Sequence, residues 1–215
     1  MKRTFACLLT VLLILSFISV FSVVWANPCW ADAPARPKSI IINSDGSIKP
    51  ESSPIVRVGS VYTLTADIYN VSLIIKAADV VVDGAGFLLV GPGQNNNYLN
   101  RGYFVGISVV NLSTVILRNF VIKDYDYGVM IANSSSVQLV DSSVFERVYI
   151  CNSSSNCLLT GNEFSRVELE SSQNVVTLNN FTLSNSHLYV KGNTNQITNN
   201  IFNTSITVLS ALQFM

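Results

Sequence analysis

Beyond residue 105 the chain repeats two apolar frames separated by short polar runs. In the first frame apolar residues alternate with other residues: Ile107/Val109, Val129/Ile131, Val148/Ile150, Val167/Leu169, Leu188/Val190 and Ile206/Val208. Its first members are separated by 22, 19, 19, 21 and 18 residues. The second frame is an apolar pair five residues apart: Leu117/Ile122, Leu139/Val144, Leu159/Phe164, Val176/Phe181 and Ile197/Phe202, spaced by 22, 20, 17 and 21 residues. Between the frames lie Asn111–Ser113, Asn133–Ser136, Asn152–Asn156, Ser171–Asn174 and Gly192–Asn195. Period-two alternation bounded by Asn, Ser and Gly predicts short strands joined by turns. Their return about every 20 residues predicts a stacked array.

A single turn of this kind has one apolar side and cannot bury it alone. Stacking gives each strand a partner above and below and encloses a continuous apolar core. Propeller blades need a period of about 40, and the polar runs interrupt any amphipathic helix. The predicted fold is all-β: a right-handed, single-stranded parallel β-helix over residues 71–215, with its last coil incomplete. Equivalent residues then stack about 4.8 Å apart. Asn162, Asn179 and Asn200 share one repeat position, two residues before the second member of the five-apart pair. They are expected to form an inward ladder that satisfies the backbone at a bend. Val71–Gly91 reads as a degenerate coil, Pro92–Tyr103 as a polar insertion, and residues 27–70 as an N-terminal extension with cap strands.

Composition sharpens this. Charged residues make up 12% of the chain, against about 25% in ordinary soluble domains. From Gly106 onward, 15 Asn and 17 Ser fill 32 of 110 positions, the residues of turns and ladders. With 13 Lys plus Arg against 13 Asp plus Glu there is no basic excess for nucleic acid. Lys2 and Arg3 precede an uncharged apolar run to Ala26. Residues 1–26 therefore read as a signal peptide cleaved after Ala26, or as an uncleaved membrane anchor. Both readings export the remainder to the cell surface or beyond, and involve the membrane only through this segment. Sequons at Asn70, Asn111, Asn133, Asn152, Asn180 and Asn203 fit export, although a chain rich in Asn and Ser also makes them by chance. Cys29, Cys151 and Cys157 are an odd number beyond the signal. Cys157 takes the inward slot of Val137, whereas Cys151 points outward, which disfavours a bond between them.

The runs S-I-I-I-N-S-D-G-S-I-K-P from Ser39, Y-T-L-T-A-D-I from Tyr62 and V-V-V-D-G-A-G-F from Val80 resemble the opening segment of secreted archaeal right-handed β-helix proteins. The later coils resemble the repeat of NosD-type and carbohydrate-binding/sugar-hydrolase (CASH-type) β-helix domains. The resemblance covers almost everything after residue 26 and implies the fold more strongly than any chemistry, since the repeat consists of packing and turn residues.

Outward positions of the first strand should line up in three columns: Gly106, Gly128, Arg147, Arg166, His187, Ser205; Ser108, Met130, Tyr149, Glu168, Tyr189, Thr207; and Val110, Ala132, Cys151, Glu170, Lys191, Leu209. In polysaccharide-processing β-helices this exterior carries the groove, so the resemblance points to the same face. The expected ligand is a polysaccharide or cell-surface glycan, with Tyr149 and Tyr189 offering ring faces and Arg147, Arg166, His187 and Lys191 binding hydroxyls or carboxylates. A structural or adhesive surface protein with carbohydrate binding is the principal reading. The alternative is a polysaccharide lyase or glycoside hydrolase acting on an acidic glycan through Glu168. Its second carboxylate, needed within about 5–10 Å, would be Glu146, Glu170, Asp124 or Asp126. The bland reading is a solvated face with cross-coil pairs such as Glu170 with Lys191. No cofactor is implied. The single histidine, His187, does not support a copper role like that suggested by NosD resemblance. Ca²⁺ near Asp124 and Asp126 competes with an ordinary turn over Lys123–Tyr127. Leu209, Leu212, Phe214 and Met215 leave an apolar C-terminal half-coil, which reads either as a truncated product or as an end that docks on another chain.

Overall fold

A computed structural model describes residues 38–93, 103–151, 153–183, 185–203 and 206–208. The expectations for residues 1–37, for Asn152 and for Leu209–Met215 lie outside them. Within the described residues there is no helix, and the strands, numbered β1 to β22 in chain order, assemble into two sheets of 14 and 8 strands. Almost all pairs are parallel, and the chain winds as a β-solenoid of about 6 turns spaced by about 21 residues.

Each full coil contributes three strands. The first column contains β1 (Ser39–Ile42), β6 (Ser72–Ile75), β9 (Val105–Val110), β12 (Tyr127–Ala132), β14 (Ser143–Ile150), β16 (Glu163–Leu169), β19 (His187–Val190) and β22 (Ile206–Val208). The second column, forming the smaller sheet, runs through β4 (Val61–Leu64), β7 (Val80–Asp83), β10 (Val115–Arg118), β13 (Gln138–Val140), β15 (Leu158–Thr160), β17 (Val175–Thr177) and β20 (Gln196–Thr198). The third runs through β5 (Ile68–Tyr69), β8 (Leu88–Val90), β11 (Val121–Lys123), the first residues of β14 and β16, then β18 (Asn180–Phe181) and β21 (Ile201–Phe202). At the N-terminal end, β2 (Ile48–Lys49) and β3 (Ile55–Val58) pair antiparallel with β1 and β4 and close the stack. Ser39–Ile42 pairs in register with Ser72–Ile75, and Ile68–Tyr69 with Leu89–Val90. The extension thus supplies paired strands continuous with the first full coil.

The two apolar frames become stacked rows in one core. Leu117, Leu139, Leu159, Val176 and Ile197 are vertical neighbours. So are Ile122, Val144, Phe164, Phe181 and Phe202; the Phe164 and Phe181 rings are tilted with centroids 5.6 Å apart, and the Phe181 and Phe202 rings stack at 4.8 Å. The expected Asn ladder is present. Asn162 Nδ2 donates to Asn179 Oδ1 at 3.0 Å, and Asn179 Nδ2 to Asn200 Oδ1 at 2.9 Å. Each amide oxygen also accepts the backbone N–H of the ladder residue one coil earlier. Ser142 extends it toward the N-terminus, donating its N–H to Asn162 Oδ1 and accepting that of Phe120.

A second ladder escaped the sequence reading. Asn195 Oδ1 accepts the N–H of Asn174, and Asn174 Oδ1 that of Cys157. Both ladders share one device: a residue with positive φ turns the chain, and the next residue points inward. Asn119, Asp141, Gly161, Leu178 and Asn199 hold that turn before the first ladder, at φ 54, 46, 69, 57 and 55°. Side chains other than Gly, Asn and Asp are strained there. Leu178 is the misfit, branched and 63% exposed. Leu178→Asn is expected to stabilise the fold by about 0.5–1 kcal/mol, read as a rise in the midpoint of thermal unfolding.

Candidate functional site

The register confirms the middle outward column: Ser108, Met130, Tyr149, Glu168, Tyr189 and Thr207 lie side by side. In the column beside it Arg147, Arg166 and His187 are neighbours as expected. Below Arg147 the alignment changes. Arg147 lies opposite Tyr127, with Gly128 the extra residue of a bulge, so Tyr127 joins the arginines in place of Gly128. A Cβ on Gly128 would collide with Val144 Cγ1, which explains a glycine at this bend.

A second bulge lies on β14. Between Val144 and Arg147 it carries Phe145 and Glu146, while β16 has only Ser165 between Phe164 and Arg166. Bulges re-aim side chains, and here the alternation turns Phe145 outward, 40% exposed, and Glu146 inward, 8% exposed. Sequence reasoning had one usable signal: Val144 and Val148 are four residues apart, but Phe164 and Val167 only three.

These shifts open a cleft of about 280 Å³ lined by Tyr103, Asp126, Tyr127, Phe145, Glu146, Arg147, Ser165 and Arg166. Glu146 Oε1 accepts the N–H of Asp124 at 2.6 Å. Its Oε2 is enclosed and has no hydrogen-bond partner. Burial therefore raises the carboxyl to about 7; the Asp124 carboxylate adds to the rise, while the N–H groups of Asp124 and Tyr125 and the Lys123 ammonium oppose it. The Arg147 guanidinium lies 4.9 Å from the Tyr127 ring centroid, and its Nη1 donates to the Tyr127 hydroxyl at 3.1 Å. Tyr103 meets Tyr127 edge-on at 5.2 Å, and Tyr149 tilts against Tyr127 at 5.8 Å. With Val105 and Met130 these rings form a small apolar cluster outside the main core.

The structure brings Arg147, Tyr149, Arg166 and Glu168 together. Glu168 Oε1 is 2.5 Å from Arg166 Nη2 and 3.4 Å from Arg147 Nε. Glu168 is thus engaged with two cations. Tyr149 OH donates to Glu170 Oε2 at 2.9 Å, while Lys191 Nζ lies 3.8 Å from Glu170 Oε1, the cross-coil pair named from the sequence. Burial and the Glu170 carboxylate push the Tyr149 hydroxyl well above its ordinary value. His187, Tyr189 and Lys191 continue the columns one coil further and do not line the cleft.

Asp126 Oδ2 accepts the N–H of Phe104 at 2.7 Å, and no group of three or more His, Cys, Asp or Glu side chains is placed to hold a metal among the described residues. Asn70, Asn111, Asn133 and Asn203 are exposed, whereas Asn180 lies in β18 with an enclosed amide oxygen. Cys157 is a free core thiol, raised to about 11 by burial. Cys151 is disulfide-bonded and only 1% exposed, though it sits on the outward column. No helix among the described residues is long and apolar enough to cross a membrane. Compared with known proteins, the chain matches no family model, no curated protein and no solved structure.

Proposed function

We propose that this chain is an exported surface β-helix protein, of the NosD-like or CASH-like kind its repeats resemble, that binds carbohydrate on the outer face of the first sheet. The observation that carries the reading is the cleft, where the aromatic rings of Tyr103, Tyr127 and Phe145 stand beside Arg147 and Arg166. Aromatic faces suit the C–H faces of sugar rings, and arginine forks suit hydroxyls and carboxylates. Ion pairing with Glu168 holds both arginines in place beside the cleft. Titration calorimetry against neutral and uronate oligosaccharides tests it. Phe145→Ala and Arg166→Ala should each weaken binding about tenfold, or about 1.4 kcal/mol. Arg166→Ala should matter most for uronates. Absence of binding to every glycan class would leave a structural scaffold.

A second reading, cleavage of an acidic glycan, is favoured by one observation: Glu146 is a carboxyl raised to about 7 at the cleft wall. Asp126, which also lines the cleft, is the carboxylate available to pair with it. Reducing-end and unsaturated-uronate assays separate the readings, because turnover abolished in Glu146→Gln with binding retained would make the protein an enzyme.

A further inference from the structure

We propose that the ligand of the cleft is an acidic sugar taken up together with a proton on Glu146, so that the site holds it more tightly below neutral pH than above. This coupling rests on the carbohydrate reading and adds to it the charge class of the sugar and the control of its binding. Glu146 lines the cleft yet is 8% exposed, and its Oε2 is enclosed without a hydrogen-bond partner. No ion pair reaches it among the described residues. Its carboxyl therefore ionises only by placing an unneutralised charge in the wall against which a ligand lies.

The charged and titratable groups around Glu146 come from both neighbouring coils. The turn one coil earlier brings Lys123, Asp124, Tyr125 and Asp126, and Tyr103 and Tyr127 stand at the cleft. Arg147 adjoins Glu146 on β14, and β16 brings Arg166 with its partner Glu168. Burial and the Asp124 carboxylate work against ionisation of Glu146; the N–H groups of Asp124 and Tyr125 and the Lys123 ammonium work for it. Burial dominates, and the carboxyl stands at about 7.

Along the cleft Arg147 and Arg166 are offset by Asp126 and by Glu168, which pairs with both arginines. Glu146 then sets the balance, neutral when protonated and negative when ionised. Arg166 engages Nη2 with Glu168, and Arg147 engages Nη1 with Tyr127. A guanidinium has more N–H groups than these contacts use, and the remainder suit a sugar carboxylate.

Ligand and proton favour one another reciprocally. A sugar carboxylate held by the arginines opposes ionisation of Glu146, and a proton on Glu146 strengthens the hold on that carboxylate by the same factor. Like charges across a partly buried wall interact strongly enough for a factor of about ten. Below about 7 Glu146 carries its proton with or without ligand, and affinity is full. Affinity falls over about one pH unit above that and levels once Glu146 is ionised in both states.

Titration calorimetry of the full chain tests this with a uronate trisaccharide and with the same sugar after reduction of its carboxyls to alcohols. The Kd for the uronate should stay level up to about pH 6.5 and be about tenfold higher at about pH 9, while the neutral sugar shows no slope. Near neutrality, heats in two buffers of different ionisation enthalpy should reveal net proton uptake with the uronate alone, a readout that needs no variant. Glu146→Gln, uncharged at every pH, should bind the uronate with a level profile. A level wild-type profile for the uronate, an equal slope for the neutral sugar, or binding of the neutral sugar alone would overturn the proposal and leave the carbohydrate reading standing. So would a slope that survives in Glu146→Gln, as it would if the imidazole of His187, one coil beyond Arg166, carried the proton. If neither sugar binds at any pH, the carbohydrate reading and the coupling fall together.

Discussion

Asn179→Ala lowers the free energy of unfolding by about 3–5 kcal/mol in urea titration, the largest single-residue loss expected in the distal coils. Its amide sits at the centre of the first ladder and is 1% exposed. Asn179 Oδ1 accepts both the backbone N–H and the side-chain amide of Asn162. Its Nδ2 donates to the carbonyls of Leu159 and Thr177 and to Asn200 Oδ1. Alanine deletes all of these and leaves the Asn162 N–H without an acceptor in a dry interior, so the cost is that of stranded polar groups as well as lost bonds. Asn179→Asp tests the same point differently. It keeps the shape and the acceptor but removes the donor and brings a charge into the core. It should therefore unfold more readily as pH rises above the carboxylate range. A loss under 1 kcal/mol for Asn179→Ala would mean that neighbouring coils satisfy the bend without the ladder.

Stability also falls as pH rises from about 4.5 to about 7, and Glu146→Gln removes that fall. In the folded protein burial holds the Glu146 carboxyl at about 7 against an ordinary 4.5. Below the ordinary value both folded and unfolded chains carry the proton, and the contribution is fully present. Through the window the unfolded chain ionises first, and the contribution is lost as pH passes the folded value. Because Glu146 lies at a cleft wall that solvent reaches, the loss is on the order of 1–3 kcal/mol. At pH 8 Glu146→Gln should be the more stable protein, and near pH 4 the two should be alike. Guanidinium titrations across this range decide it; a wild-type profile flat between pH 5 and 8 would show that the carboxyl ionises in place without cost.

Asn179 and Glu146 differ in how far sequence could place them. Asn179 was legible because its neighbours 17 and 21 residues away are also asparagines at the same point of the repeat. Periodicity alone aligns them. The Asn174–Asn195 ladder was less visible because earlier coils carry Cys157, Val137 and Val115 at the corresponding inward position. An apolar side chain fills that slot as well as an amide does, so no run of like residues marks it.

Glu146 shows a different limit. The alternation around Val148 and Ile150 correctly put Arg147, Tyr149, Arg166 and Glu168 on one face. It could not place Phe145 and Glu146, which belong to the extra length of their coil. Nor could it bring Tyr127 under Arg147 in place of Gly128. Outwardness also proved a poor guide to exposure, since Met130, Ala132 and Cys151 point away from the core and are nonetheless buried.

The coil, the stacked apolar rows, the first Asn ladder and the charged middle columns were all legible in the order of residues. Those follow from a period of two within strands and about twenty between them, which every coil repeats locally. Where the cleft lies, which carboxyl is buried at its wall and which outward residues lose exposure follow only from the stacking in three dimensions. Coils of unequal length must stack on one another, and the surplus residue is expelled as a bulge wherever the neighbouring coils leave room. That choice depends on contacts about twenty residues away, which the local alternation does not record.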